Sequence, residues 1–170
     1  MTTGGLKVLG IGATGLLAAA AALPPEPGRG RAGRAADVLT AGALIAGAAN
    51  LVNLLDLRPG RALKSVLATA PLAGRSGGPA VLGGAVAGAA GALLPHDLGE
   101  EGMLGDTGAN AAGAVLGTAF VAGAGRRSRL AALAGVVALT LASERWSFTA
   151  VIESTPGLRE FDALGLTPQM

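Results

Sequence analysis

The sequence predicts an all-α fold: a polytopic membrane helix bundle of five or six transmembrane helices over residues 1–146, with an interfacial or soluble tail over 147–170. Three observations carry this. Hydrophobic residues make up 51% of the chain and charged residues 14%, where a soluble domain carries about 25% charge. Aromatic residues are only 2%, while glycine supplies 29 of the 170 residues. Small residues in long apolar runs suit helices that pack closely inside a bilayer, whereas a water-soluble core of this size recruits more Phe, Tyr and Trp beneath a more charged surface. The apolar runs are also Gly/Ala-rich rather than β-branched, which argues against strands. In lipid, helices satisfy their own backbone hydrogen bonds, which irregular chain cannot do.

The same composition excludes several classes. There is no cysteine, hence no disulfide framework and no thiolate metal site. The net charge is only +2, and no clustered basic face with polar readout groups marks a nucleic-acid partner. Disorder goes with low hydrophobicity and high net charge, the opposite of this chain. Glycine follows no period of three, so collagen is excluded.

The first apolar run is 8–23, shorter than the roughly 20 residues of a typical span. Lys7 and the alanines that follow imitate a signal peptide, but further apolar runs make a short membrane helix the better reading. PPEPGRGRAGR, 24–34, is a loop set by its prolines and glycines. The second run, 35–55, is interrupted only by Asp37, Thr40, Asn50 and Asn53. DLRPGRALK, 56–64, is a basic hinge. The run 62–74 is weaker, a short, tilted or re-entrant piece, because Lys64, Ser65 and Pro71 fall in it. The run 79–94 is nearly pure Gly, Ala, Val and Leu, and HDLGEEG after it is an acidic loop. The run 107–125, the basic turn GRRSR and the run 130–142 follow. The end is more polar, with Trp146 near the headgroups.

If six segments cross, Lys7, Arg58, Arg61, Lys64, Arg145 and Arg159 share one side. Arg29, Arg31, Arg34, Arg75, Arg126, Arg127 and Arg129 share the other. A margin of one residue does not orient the chain. The acids do separate. Asp56, Asp97, Glu100, Glu101, Asp106, Glu144, Glu153, Glu160 and Asp162 fall on the first side, which gives it a cation-binding character.

Two acids stand at the edges of apolar runs: Asp56 in NLVNLLDLR and Asp106 in MLGDTGAN. Charges at a membrane boundary are costly unless hydrated, paired or metal-bound, so both are functional candidates. Two crossings between them return them to one face, whereas a re-entrant 62–74 separates them. Together they can hold Mg²⁺, which takes oxygen ligands, keeps several waters and bridges phosphates. Asn50, Asn53 and Asp56 form a polar stripe on an apolar helix, leading to Arg58, Arg61 and Lys64, a suitable place for a metal-bound diphosphate. Asn110 follows Asp106 one helical turn on. Each piece also has a plainer reading. Asp106 can be a helix cap, the asparagines glue between helices, and the three cations a headgroup-facing flank. His96 can be a loop residue, and Glu100 and Glu101 solvated acids.

The stretches NLVNLLDLRPG and MLGDTGAN resemble two motifs of the polyprenyl-phosphate N-acetylhexosamine-1-phosphate transferase family, membrane enzymes that include those of peptidoglycan synthesis. Asn50, Asn53, Asp56 and Gly60 match the first motif, while Leu57, Arg58 and Pro59 replace the family's Gly, Leu and Asp. Met103, Gly105, Asp106 and Gly108 match the second, with Ala109 at the usual serine position. The resemblance spans about residues 1–155, the later half of a family member. The family's early Asp-Asp motif falls upstream of residue 1, and His96 is the sole histidine where many members carry a histidine-rich motif. An incomplete or divergent member is therefore expected.

The resemblance implies transfer of a sugar-1-phosphate from a UDP-sugar to a polyprenyl phosphate, with Mg²⁺ as cofactor. Asp106 and Asp56 become catalytic metal-site residues. Asn50, Asn53, Arg58, Arg61, Lys64 and Asn110 become substrate-binding candidates. The expected location is the cell membrane, and small-residue faces are compatible with a homo-oligomer. The alternatives are a non-catalytic membrane scaffold related to the family, or a small transporter using Asn50, Asn53 and Asp56 as a polar path.

Overall fold

The computed structural model describes residues 3–74 and 76–166. Arg75, and the side chain of Lys7, lie outside the described residues. Within them the chain is all-helical: α1 Thr3–Ala22, α2 Arg31–Leu55, α3 Arg61–Thr69, a 3-10 turn Ala70–Leu72, α4 Gly77–Leu98, α5 Gly105–Gly123, α6 Arg126–Arg145, α7 Phe148–Ser154 and α8 Leu158–Ala163.

Several helices run past the apolar segments that signal them. α1 starts five residues before the run at 8–23. His96 and Asp97, expected in a loop, form the last turn of α4, and Arg126, Arg127 and Arg129, expected in a turn, open α6. Apolar periodicity marks only the part of a helix that needs burial or lipid, while polar residues continue the backbone into water at either end. Pro95 removes one hydrogen bond near the end of α4, but the N–H groups of Gly99 and Glu101 still bond back to the carbonyls of Pro95 and His96.

α2 and α5 form the centre, and two apolar clusters flank them. One joins Val52, Leu63, Val66, Val86, Ala109 and Leu116 across α2, α3, α4 and α5. The other joins Ala19, Leu23, Ala41, Leu44, Ile45 and Val121 across α1, α2 and α5. Glycines permit close approach: an added Cβ on Gly15 would sit 2.7 Å from the Gly42 carbonyl oxygen. Such close contacts add dispersion attraction between the helices.

The chain passes from end to end of the bundle. Ala73 and Pro79 lie against Gly123, at the far end of α5, while Gly60 and Leu98 meet at the near end. Residues 61–74 therefore traverse the bundle, and α4 returns. Asp56 and Asp106 consequently share one end, here termed the acidic end. At the opposite, basic end, Asp37 is buried and paired with Arg29 (2.5 Å) and Arg126 (3.1 Å). Arg34 donates to the Leu23 carbonyl and closes the end of α1.

Among the described residues two helices, Arg31–Leu55 and Gly77–Leu98, are long and apolar enough to cross a membrane, and Leu9–Ala22 is a shorter apolar stretch. That is fewer than the five or six expected. α5 carries Asp106 and Asn110 in its first turns, α6 has charge at both ends, and α3 is too short.

Candidate functional site

The site begins where α2 stops. Pro59 cannot continue a helix, and it pushes Arg58 toward extended backbone. Gly60 then takes φ 72° and opens α3. Only glycine is comfortable with that backbone, and a Cβ there would also press to 2.6 Å from Leu98 Cδ2. The turn aims the Gly60 N–H at Asp97 Oδ2, 2.7 Å away and buried. Asp97 thus ties α4 to the α2–α3 hinge.

The Asp56 carboxylate stands at the end of α2 with the backbone N–H of Gly105 against it. Its pKa is raised, chiefly by partial burial. The Gly105 hydrogen bond opposes the rise, and the charges of Asp97 and Asp106 add to it. One turn back, Asn53 Oδ1 accepts from Asn110 Nδ2 at 3.3 Å, and the same Nδ2 donates to the Asp106 carbonyl at 2.6 Å. Asn110 so bridges α2 to the first turn of α5. Asn50 is half-buried on the same helix.

Two hollows adjoin these residues. A cavity of about 390 Å³ is lined by Asp56, Arg58, Asp97, Glu100 and Met103. An apolar groove of about 450 Å³ runs between α1, α2 and α5, past Ile11, Thr14, Ile45 and Ala49, to Asp106 and Asn110.

Asp56, Asp106, Asn53, Asn110 and Arg58 are thus brought to one end of the bundle. Arg61 and Lys64 are turned elsewhere. Both are buried, and both serve the C-terminal arm, α7–α8. Arg61 holds Asp162 with two hydrogen bonds, of 2.7 and 2.9 Å, and donates to Thr149 Oγ1. Lys64 donates to the carbonyls of Asp162 and Leu164. Arg58 divides itself between Glu153, at 2.6 Å, and Asp162, at 3.8 Å. The Arg61 hydrogen bonds hold the Asp162 carboxyl below its usual range against the opposing effect of burial, and the charges of Arg61, Lys64 and Arg58 add to that depression.

Sequence reasoning missed Asp97 and Asp162 as organising residues. Asp97 carried a signal: an acid in the last turn of a helix opposes the helix dipole and calls for a partner. Asp162 carried none, since its partners lie about a hundred residues away.

Among the described residues no three His, Cys, Asp or Glu are grouped to hold a metal unaided. The charges of Asp97 and Asp106 both act on Asp56. No family model matches the chain, nor does any curated protein or solved structure.

The raised Asp56 pKa has a signed consequence. Where a folded carboxyl titrates above its unfolded value, the folded state is penalised once pH exceeds both values and is relieved as pH falls through the folded one. Asp56→Asn is therefore expected to raise the unfolding temperature at neutral pH. The gain should shrink toward acid, as followed by thermal unfolding in detergent across a pH series.

Proposed function

We propose that the chain is a multi-pass protein of the cell membrane and a divergent glycosyl-1-phosphate transferase. It would move a sugar-1-phosphate from a UDP-sugar to a polyprenyl phosphate. The observation that carries this is the meeting of Asp56 and Asp106 at one end of the bundle, between a cavity that Asp56, Arg58, Asp97 and Glu100 line and an apolar groove. Membrane placement is supported by what the apolar helices leave uncovered. Only 17% of the apolar window of α4 is buried, and Leu17, Val81 and Leu141 are 73%, 70% and 65% exposed. A core helix of a soluble protein buries such a surface, while lipid covers it without cost. By this reading α1, α5, α6 and the traversing segment 61–74 cross with α2 and α4.

The groove offers room for a carrier lipid tail, with its phosphate at the mouth by Asp106 and Asn110. The cavity offers Arg58 to a sugar diphosphate. Asp56 and Asp106 would hold Mg²⁺, which would supply Lewis-acid stabilisation of phosphate charge there. The carrier phosphate is already an anion and needs no strong base. Its oxygen forms the new bond to the sugar-bound phosphorus as the bond to UMP breaks, and Arg58 neutralises charge on the leaving phosphate. Asn53 and Asn110 hold the two helices in register around that event.

A second reading has one observation behind it. Arg61 and Lys64, cations suited to phosphate, are already paired with the chain's own Asp162, as a non-catalytic scaffold of the same architecture would tolerate. Two measurements test these readings. Under alkaline carbonate the chain is expected to stay in the membrane pellet, and recovery in the supernatant would overturn membrane integration. Membranes given polyprenyl phosphate and Mg²⁺ are expected to release UMP from UDP-GlcNAc or UDP-MurNAc-peptide. No release from either sugar removes the transferase and leaves the scaffold.

A further inference from the structure

The two ends of the bundle differ in how their cations are partnered. At the acidic end Arg58 and Arg61 pair with carboxylates of the C-terminal arm, Arg159 pairs with Glu160, and acids outnumber cations. At the basic end six described arginines, Arg29, Arg31, Arg34, Arg126, Arg127 and Arg129, face two acids, Glu26 and Asp37. Arg29 and Arg126 take both acids. Arg34 and Arg129 reach only backbone carbonyls, those of Leu23 and Val121. Arg31 and Arg127 are exposed and pair with no described residue.

The backbone adds to this excess. α2, α4 and α6 all start at the basic end, and none has a side-chain cap or an acid in its first turn. A helix start carries positive partial charge and favours an anion, yet α2 and α6 open on arginines. The Asp37–Arg126 pair brings those two starts together. We propose that the basic end is a docking surface for anionic phospholipid headgroups, with phosphodiesters at the adjoining starts of α2 and α6, where Arg31 and Arg127 stand free. Every cation here is an arginine, and guanidinium meets phosphate oxygens through two parallel hydrogen bonds, which ammonium does not. The partner is lipid because an uncovered apolar surface begins directly beside the arginines. Leu39 on α2, Val81 on α4 and Leu130 on α6 are 58%, 70% and 42% exposed. Each lies within about 12 Å of its helix start, counted along the helix rise. Acyl chains that cover these residues bring their headgroup phosphates level with the arginines.

The inference rests on the membrane placement proposed above and not on the transferase activity. The full chain is placed in phosphatidylcholine nanodiscs with and without phosphatidylglycerol, and unfolding is followed by the fluorescence of Trp146, the sole tryptophan. Phosphatidylglycerol is expected to raise the unfolding temperature by several degrees, since a ligand of the folded state stabilises it. The gain should shrink in high salt. The double variant Arg31→Gln, Arg127→Gln is expected to unfold at the wild-type temperature in phosphatidylcholine, because neither side chain has a partner to lose. It should forfeit most of the gain from phosphatidylglycerol. Arg145→Gln, exposed at the acidic end, should keep that gain. Equal unfolding temperatures of the wild type in the two lipids overturn the proposal, whether or not the variants fold. So does a gain that the double variant keeps, or that Arg145→Gln loses to the same extent. A rise of the same size from inorganic phosphate in phosphatidylcholine assigns the end to a soluble anion and overturns the lipid dock. Release under alkaline carbonate is a different result, which removes the membrane placement itself.

Discussion

Asp106→Asn is expected to lower Mg²⁺-dependent UMP release by roughly 10²–10³-fold, the usual loss when one group that stabilises developing charge is removed. Loss of fold must be separated from loss of chemistry. Asp106 lies in the first turn of α5, where its charge complements the helix dipole by about 0.3–1 kcal/mol. Asparagine keeps the size of the side chain, and Asp106 is not the N-cap of α5, so the helix should survive. An unfolding temperature close to wild type, with metal-dependent release nearly gone, is the expected pair of results. Release that stays at the wild-type rate would take Asp106 out of the reaction, and the reading of the acidic end would lose its carrying residue.

The sequence made the helical class legible because it has so few residues suited to strands and so many small ones. The meeting of Asp56 and Asp106 also follows from counting runs, provided 62–74 traverses the bundle, as it does here. Other features were hidden for identifiable reasons. Helix ends lay beyond the apolar signal at His96, Asp97 and Arg126, because polar residues extend a helix without marking it. Arg58, Arg61 and Lys64 read as one cationic group of common purpose. The fold divides them, leaving Arg58 at the rim and sealing Arg61 and Lys64 beneath α8, since their partner Asp162 lies 101 residues from Arg61. Asp37 read as an interruption of α2, yet its pairing with Arg126 joins the starts of α2 and α6. Such pairs depend on tertiary proximity and leave no local pattern.

Gly113→Ala is expected to destabilise the protein, and Gly113→Val more so. A Cβ on Gly113 would lie 2.4 Å from the Ala48 carbonyl oxygen and 2.7 Å from Ala49 Cα. Both are backbone atoms, which cannot rotate aside, so α2 and α5 must separate. Replacing a helical glycine by alanine gains about 1 kcal/mol in propensity, but overpacking costs about 1–3 kcal/mol and sometimes more. At 2.4 Å the steric cost prevails. Gly84 and Gly88 on α4 supply the control. A Cβ at either meets nothing within 4 Å, so alanine there should stabilise by roughly 0.5–1 kcal/mol. Thermal unfolding in detergent should therefore move in opposite directions for Gly113→Ala and Gly88→Ala. The site should move with it, because parting α2 from α5 breaks the 3.3 Å Asn53–Asn110 bond and draws Gly105 from Asp56. If Gly113→Ala instead matches Gly88→Ala in stability, the close crossing of α2 and α5 is not what holds the two carboxylates at one end.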